Sequence, residues 1–237
     1  PTQVRHEFFP HFFHCLLHAV DYPGAYARGA GRAPAVEKMR EELMSYLRWS
    51  GERCPDTFEV EIVQEKASEL QIADADSDII FEKEQIPLTK QEYQRLKLLA
   101  LKSAEDFYAL YRSVPDKDAS CLPERRTFYG PVPRTAREMY QHTKNVNSYY
   151  FGEIGVDADN EGTIIHCRMR GFALLENTPG FLSAPAVTGS YDELWSVRKV
   201  LRRFLWHDRI HARAMYRMAV KTFGSSCLKN PFFFSSP

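Results

Sequence analysis

Residues 205–219, with the sequence LWHDRIHARAMYRMA, organise this chain. They place His207 and His211 four residues apart in a strongly helical run, so both imidazoles lie on one helix face, about 6 Å apart along the axis. Continuing the three-and-four spacing of the neighbouring apolar residues puts His211 on the face toward other helices, with His207 beside it. Burying a histidine unpaired costs about 1 to 3 kcal/mol, so these two side chains require hydrogen-bond partners or a metal ion.

A third histidine strengthens the metal interpretation. His142 lies in the run 135–154, where Met139, His142, Val146 and Tyr149 alternate at helical spacing, which predicts that His142 faces inward. Three inward histidines on two neighbouring helices indicate a nitrogen-ligand metal site with an open coordination position. The alternative is that the histidines bond only to carbonyls and waters.

Residues 89–224 resemble the DinB-like family of metal-binding four-helix bundles, which includes thiol-dependent S-transferases. His142 matches the family's histidine on the second helix, and His207 and His211 match its terminal pair. The resemblance implies an all-α up-down four-helix bundle over residues 89–224. It also implies a divalent metal ion, with zinc or nickel the first choices, bound by these three histidines.

Capping boxes predict where three of the helices start. The pairs Thr89 with Glu92, Thr135 with Glu138, and Ser190 with Glu193 each place a hydroxyl three residues before a carboxylate. The first helix should end before Pro115. The remaining helix, ending at residues 178–180, has an expected inward face weakened by Gly171; that face comprises Ile165, Met169, Phe172 and Leu175.

Two long loops and the C-terminal tail complete this half. Residues 116–133 and 176–189 either cover the mouth of the metal site or only connect helices, and the sequence leaves both open. Residues 225–237 form a tail containing Phe232, Phe233 and Phe234, which is too apolar for a free end. We expect the tail to dock on the body of the protein or on a partner subunit.

The first 88 residues predict a separate, small α+β domain. Residues 11–20 read as a strand, 35–49 as an amphipathic helix, and 58–63 and 78–82 as further strands. Residues 11–65 resemble the HicB-like fold through Asp21, Pro23, Gly24 and Gly29, and they depart from it immediately after Gly29. The resemblance implies an interaction module, hence a homo-oligomer such as a dimer.

Charge and composition narrow the range of functions. The 237 residues include 31 basic and 31 acidic side chains, so no nucleic-acid footprint is expected. No apolar run approaches the roughly 20 residues of a membrane span. The five cysteines are widely spaced without a Cys-x-x-Cys motif, which favours reduced thiols. These features predict a soluble, cytoplasmic protein without membrane partners.

Other polar residues near the histidines have alternative interpretations. His166 is expected at the surface or behind the metal ligands, and Asp208 either holds an imidazole or pairs with Arg209 or Arg213. Tyr149, Tyr150 and Asp208 are candidate bases by position alone, so the catalytic residues stay unknown. A solvated face is favoured over an anion-binding surface for the arginines of the last helix, Arg198, Arg202, Arg209, Arg213 and Arg217.

Two functional hypotheses follow. The first is a metal-dependent enzyme that activates a thiol or water, as an S-transferase, hydrolase or isomerase acting with a low-molecular-weight thiol or a small electrophile. The second is a non-catalytic binding or assembly protein that the metal stabilises. The open coordination position favours the first.

Overall fold

The protein is described as a computed structural model that covers residues 2–9, 14–56, 58–67, 79–127 and 130–235. The chain divides into two units, Pro1–Ser77 and Asp78–Pro237. The first is an α+β unit and the second is mainly helical. The segment just before residue 89, which the sequence suggested assigning to the first domain, belongs to the second unit.

The first unit contains a four-stranded sheet and one helix. The sheet order is β3-β2-β1-β4, with β1 antiparallel to β2, β2 antiparallel to β3, and β1 parallel to β4. Helix α1 packs on β2 and β3. The elements are β1 (Thr2–Phe9), β2 (His14–Ala19), β3 (Tyr26–Gly29), α1 (Arg32–Ser50) and β4 (Val60–Ala67).

The spacing of apolar residues in α1 and a close contact at Gly29 explain how α1 packs on its sheet. Met39, Leu43 and Leu47 recur every four residues and are buried. A Cβ on Gly29 would lie 2.5 Å from the backbone nitrogen of Ala35, so only glycine lets the end of β3 run this close to the helix. The helix predicted for residues 35–49 is therefore confirmed, with a slightly earlier start.

The strand predictions for the first unit had mixed outcomes. Strand β2 confirms the strand expected within 11–20, although residues 11–13 lie outside the described part of the chain. Strand β4 covers part of the 58–63 expectation and extends beyond it. The strand expected at 78–82 is wrong over its described residues: a 3-10 turn, Glu82–Gln85, begins there because the Phe81 amide donates to Oε2 of Glu84 at 2.9 Å. Strand β1 was not predicted.

The second unit is built around four longer helices. Both α2 and α3 pack against α4 and α5. Two short hairpins, β5 with β6 and β7 with β8, stand in the connections. The elements are α2 (Lys90–Ser113), β5 (Arg126–Thr127), β6 (Gly130–Pro131), α3 (Ala136–Gly152), α4 (Ile164–Glu176), β7 (Val187–Thr188), β8 (Leu194–Trp195) and α5 (Val197–Phe223).

The caps of α2 and α3 are two of the three that the sequence predicted. The Glu92 amide donates to Oγ1 of Thr89 at 3.2 Å, and the Thr89 amide donates back to the Glu92 carboxylate at 2.9 Å. The Thr135 and Glu138 pair makes the same reciprocal bonds, both at 3.1 Å. These local bonds satisfy free amides of each first turn, so both starts are confirmed.

The start predicted for the last helix is wrong. Helix α5 begins after Ser196, whose hydroxyl accepts from the Lys199 amide at 3.1 Å. The Ser190 amide donates to the Glu153 carboxylate at 2.7 Å instead of to Glu193. Tyr191 follows in the left-handed region at φ 59°, and the chain then enters β8. A contact from Glu153, the residue that follows α3, therefore overrides the local capping pattern.

Helix α4 buries Phe172 and Leu175 of the expected inward face, but it does not bury Ile165 or Met169. Met169 is 53% exposed, whereas Arg168 is fully buried. A Cβ on Gly171 would lie 2.2 Å from the Phe151 ring, so this glycine lets α3 and α4 approach closely. The inward face comprises Ile164, Cys167, Arg168, Gly171, Phe172 and Leu175.

The core of the second unit surrounds α5. Every residue from 199 to 209 is buried, so this part of the helix is enclosed on all sides, and burial becomes one-sided from Ile210 onward. The C-terminal tail adds a further cover, because Phe232 and Phe234 are buried against Arg209 and Arg213. The expectation that the tail docks on the body is confirmed.

In the parts of the chain that the structure covers, none of the helices combines the length and apolar character that crossing a membrane requires.

Candidate metal centre

Two helices bring the three predicted histidines together. His207 and His211 are one turn apart on α5, and His142 approaches them from α3. The ring centre of His142 lies 5.0 Å from that of His207 and 4.7 Å from that of His211. One nitrogen from each ring can be chosen so that all three lie within 4.8 Å of one another. Within the described residues this is a group that can hold a metal ion.

Burial of the three rings differs from the sequence expectation. His207 is 6% exposed, His211 is half-buried and His142 is exposed. His142 was expected on an inward face but its side chain is exposed, and of the α5 pair His207 is more buried than His211, which was expected to face the other helices. Helical periodicity predicts that α5 is buried on one side only, but the helix is enclosed up to Arg209, so His207 is buried and His211 is only half-buried.

The spacing of one nitrogen pair fits a metal ion directly. Nε2 of His207 lies 3.2 Å from Nε2 of His142. Two nitrogens bound to one zinc ion at about 2.05 Å with tetrahedral angles are about 3.3 Å apart, and they can be no more than about 4.2 Å apart in any geometry. The three nitrogens lie within 4.8 Å of one another, so any pair at that limit must come closer by about 0.6 Å to share an ion at all and by about 1.5 Å to reach tetrahedral spacing.

The imidazole of His207 is held in its neutral form, which is the form that can bind a metal ion. Burial lowers the pKa of His207 well below its usual range, and the nearby His211 and His142 rings and the Arg203 charge lower it further. Its Nδ1 is buried without a hydrogen-bond partner among the residues that the structure describes. A neutral imidazole with Nε2 directed at a ligand position carries its proton on Nδ1.

A buried ion pair lies beside the histidines. Asp208 accepts from Nη1 and Nη2 of Arg168 at 2.5 and 3.1 Å, and both side chains are fully buried. Arg168 also donates to the Ala100 carbonyl at 3.2 Å and stacks 4.2 Å from the Phe204 ring centre. Burial raises the pKa of Asp208 and the Arg168 guanidinium opposes that rise.

This pair replaces the partners that the sequence suggested for Asp208. Its carboxylate faces α4 and Arg168, so the expectation that it pairs with Arg209 or Arg213 is wrong. Arg168 itself was missed, although its signal was available: it falls on the same three-four spacing as Ile164 and Gly171. His166 is exposed on α4 and outside the histidine group, as expected.

The prediction that the arginines of α5 form a solvated face is also wrong in part. Arg202 is buried and donates to Oε1 and Oε2 of Glu84 at 2.5 and 3.1 Å, and to the Ile79 carbonyl at 2.7 Å. Arg209 is buried against the tail phenylalanines, and only Arg217 of the five is exposed. The enclosure of α5 requires such charges to be paired or stacked.

Aromatic rings flank His207 on the side toward the start of α5. Tyr150 is buried with its ring centre 5.9 Å from that of His207, and the Trp206 ring centre is 6.2 Å away. The Arg203 guanidinium lies 5.0 Å from the Tyr150 ring centre. Burial, with Glu153 and Glu193 adding to it, raises the pKa of Tyr149, which keeps it a phenol rather than the base considered from sequence.

Comparison with known proteins identifies no relative. No protein-family model, curated protein or solved structure matches the chain.

Proposed function

We propose that the second unit is a metal-dependent enzyme of the DinB-like four-helix-bundle class, with a divalent ion on His142, His207 and His211. The observation that carries the proposal is the convergence of three imidazole nitrogens from two helices, two of them 3.2 Å apart. Three protein ligands leave a position for a reactant, which is the pattern of a catalytic rather than a structural site.

The donor set favours zinc or nickel. All three ligands are imidazoles, which suit borderline ions, whereas magnesium and calcium prefer oxygen ligands. An ion in this setting would lower the pKa of a water or a low-molecular-weight thiol toward neutrality and so supply a nucleophile. In the S-transferase form of the reaction, sulfur bonds to an electrophilic substrate, and the thiol proton leaves with the displaced group.

The protein's own residues prepare this site before any ligand arrives. Burial keeps His207 neutral, so no proton has to be removed from it. The Arg168 and Asp208 pair fixes α5 against α4 immediately next to His207. The exposed His142 and half-buried His211 leave the solvent side of the group accessible to a substrate.

Metal content tests the proposal directly. Protein purified without chelator or histidine tag should contain about one equivalent of zinc or nickel by elemental mass spectrometry, and His207→Ala should contain none. His166→Ala, which removes an exposed histidine outside the group, is the matched control and should keep the metal. The metal-loaded protein should then turn over a thiol with a small electrophile.

Two results would count against the proposal. Absence of metal after reconstitution with both zinc and nickel would mean that the histidines are packing residues. One equivalent of metal without turnover of thiols, esters or amides, together with a lower melting temperature after chelation, would establish the non-catalytic, metal-stabilised alternative.

A further inference from the structure

Positive charge is concentrated at one end of the second unit. Residues 110–137 and 210–237 contain ten basic and three acidic side chains, although the whole chain has 31 of each sign. Residues 209–237 contain no Asp or Glu. Opposite charges elsewhere cancel this excess, so the net charge of the chain does not reveal it. The basic side chains are Arg112, Lys117, Arg125, Arg126, Arg134, Arg137, Arg213, Arg217, Lys221 and Lys229.

Hydrogen bonds join the segments that carry these charges. The Lys229 amide donates to Oγ of Ser113 at 3.0 Å, which ties the C-terminal tail to the last residue of α2. In the loop between α2 and α3, Sγ of Cys121 lies 3.8 Å from the Met218 carbonyl of α5. The end of α2, the loop that follows it, the end of α5 and the tail therefore form one continuous region.

The acidic side chains of this region are already engaged. Asp118 accepts from Nε and Nη2 of Arg137 at 2.7 and 2.8 Å, and the Glu124 carboxylate lies 3.6 Å from Arg134. Asp116 accepts from the Asp118 amide at 2.9 Å. Among the described residues, the exposed cations of the region without a carboxylate partner are Arg112, Arg125, Arg126, Arg217, Lys221 and Lys229. We call these six residues the basic surface.

The basic surface continues the open side of the helix that carries the paired histidines. From His207 onward, Ile210, Ala214, Arg217 and Lys221 recur at three-four spacing, so they share one side of α5. All four are half-buried or exposed. At 1.5 Å per residue, Lys221 lies about 20 Å from His207 along the helix axis. A ligand long enough to contact several cations of the basic surface therefore reaches the histidine group.

The chemistry of the basic surface matches a chain of phosphates. Four of its six cations are arginines, whose guanidinium groups bind phosphate oxygens through two parallel bonds. A small anion contacts one or two cations, whereas a nucleic-acid backbone can contact several at once. Among the described residues of this region, Phe233 is the one large apolar side chain that is strongly exposed, at 52%. The surface therefore lacks both the apolar centre of a protein interface and the aromatic platform that stacks unpaired bases.

We propose that the basic surface binds the backbone of duplex nucleic acid, without sequence preference, and holds it beside the histidine group. The inference goes beyond the proposed function and does not rest on it, because the six cations are in place without a metal ion. The balance of charge over the whole chain predicts no nucleic-acid footprint, but that average does not apply to this surface.

Fluorescence anisotropy with a labelled DNA duplex tests the proposal. If about four cations contact phosphates, affinity for a duplex of about 20 base pairs should fall about 100-fold between about 50 and 200 mM sodium chloride. Arg217→Gln with Lys221→Gln should weaken binding at the lower salt about 10-fold or more. It should also reduce the slope of log affinity against log salt by about 2. Arg125→Gln with Arg126→Gln should do the same from the loop.

A matched control separates the basic surface from overall charge. Lys38→Gln with Arg40→Gln removes two exposed charges from α1 of the first unit and should leave affinity and salt slope unchanged. Because all the substituted side chains are exposed, each variant should keep the native melting temperature by circular dichroism. The titration is made on protein as purified and again after chelation. Binding by the chelated protein would uphold this inference even if the histidines hold no metal and the proposed function fails.

Several outcomes would overturn the inference. The absence of duplex binding at about 50 mM salt would do so, as would equal losses in the basic-surface and α1 variants. Tighter binding of polyglutamate than of the duplex would assign the surface to an acidic protein. Tighter binding of phosphatidylserine vesicles would assign it to a membrane, and a preference for single-stranded DNA would refute the duplex assignment.

Discussion

Asp208 and Arg168 are single residues on which the position of His207 depends. Asp208 follows His207 directly in the chain, and its carboxylate is fully buried against the Arg168 guanidinium. Desolvating two charges costs several kcal/mol for each, and only the paired bonds offset that cost. The pair therefore contributes more to fixing α5 beside α4 than to net stability.

Removing one partner of this pair should be strongly destabilising. Asp208→Asn leaves the Arg168 charge buried without its counter-ion, which is expected to lower the free energy of unfolding by about 3 to 5 kcal/mol. For a unit of this size the melting temperature should fall by roughly 6 to 20 °C, measured by circular dichroism. Asp159→Asn, the control, breaks a half-exposed ion pair with Arg170 and should change the melting temperature little.

The double variant Arg168→Met with Asp208→Leu is the sharper comparison. It replaces both charges with apolar side chains and should recover much of the lost stability. Native-like melting of Asp208→Asn would show that the ion pair does not hold the helix. A double variant no more stable than the single one would show that the loss comes from packing.

Helix α2 shows how one capping element responds to pH. Glu92 accepts hydrogen bonds from Arg198 and from the Thr89 amide, and these lower its pKa to about 2 from the usual 4.5. Because the folded pKa is the lower one, the stabilisation is fully present above about pH 4.5 and is lost as the pH falls toward 2.

Glu92→Gln should therefore have a pH-dependent effect. The carboxylate is 42% exposed, so after solvent screening the variant should lose only about 0.5 to 1 kcal/mol at pH 6. The difference from the native protein should vanish near pH 2, as followed by urea unfolding at several pH values. A constant difference across the range would contradict this, and Glu105→Gln is the control at an exposed position of α2.

The C-terminal tail should contribute to the stability of the second unit mainly through one buried aromatic ring. Phe232 is fully buried, whereas Phe233 is 52% exposed. Phe232→Ala is expected to cost about 3 kcal/mol and several degrees of melting temperature, because it empties a packed site on α5. Phe233→Ala should have a small effect, and equal losses for the two variants would show that burial of the Phe232 ring is not what stabilises the tail.

For the molecule as a whole, sequence patterns predicted the features that depend on residues close together in the chain, such as helix starts and helix faces. The starts of α2 and α3 follow from Thr89 and Thr135, whose partners are three residues away. The face of α1 follows from its four-residue spacing. The three histidines of the candidate centre were also predictable, since two are one turn apart and the third lies at an expected helical position.

Features set by distant contacts could not be predicted in this way. The start of α5 depends on Glu153 binding the Ser190 amide, 37 residues away in sequence. The partner of Asp208 is 40 residues away on α4. The enclosure of α5 places charged residues such as Arg202 inside, where helical periodicity alone predicts a solvated face.

The burial of α5 on all sides has a consequence for exchange of its backbone protons with solvent. Amides between residues 199 and 209 can reach water only when the surrounding helices separate, so deuterium should enter them last. The short hairpin of β7 and β8 can exchange through local opening. His207 lies in the segment whose amides exchange slowly, and His211 lies just beyond it. The histidine group therefore spans a boundary between slow and faster hydrogen exchange within one helix.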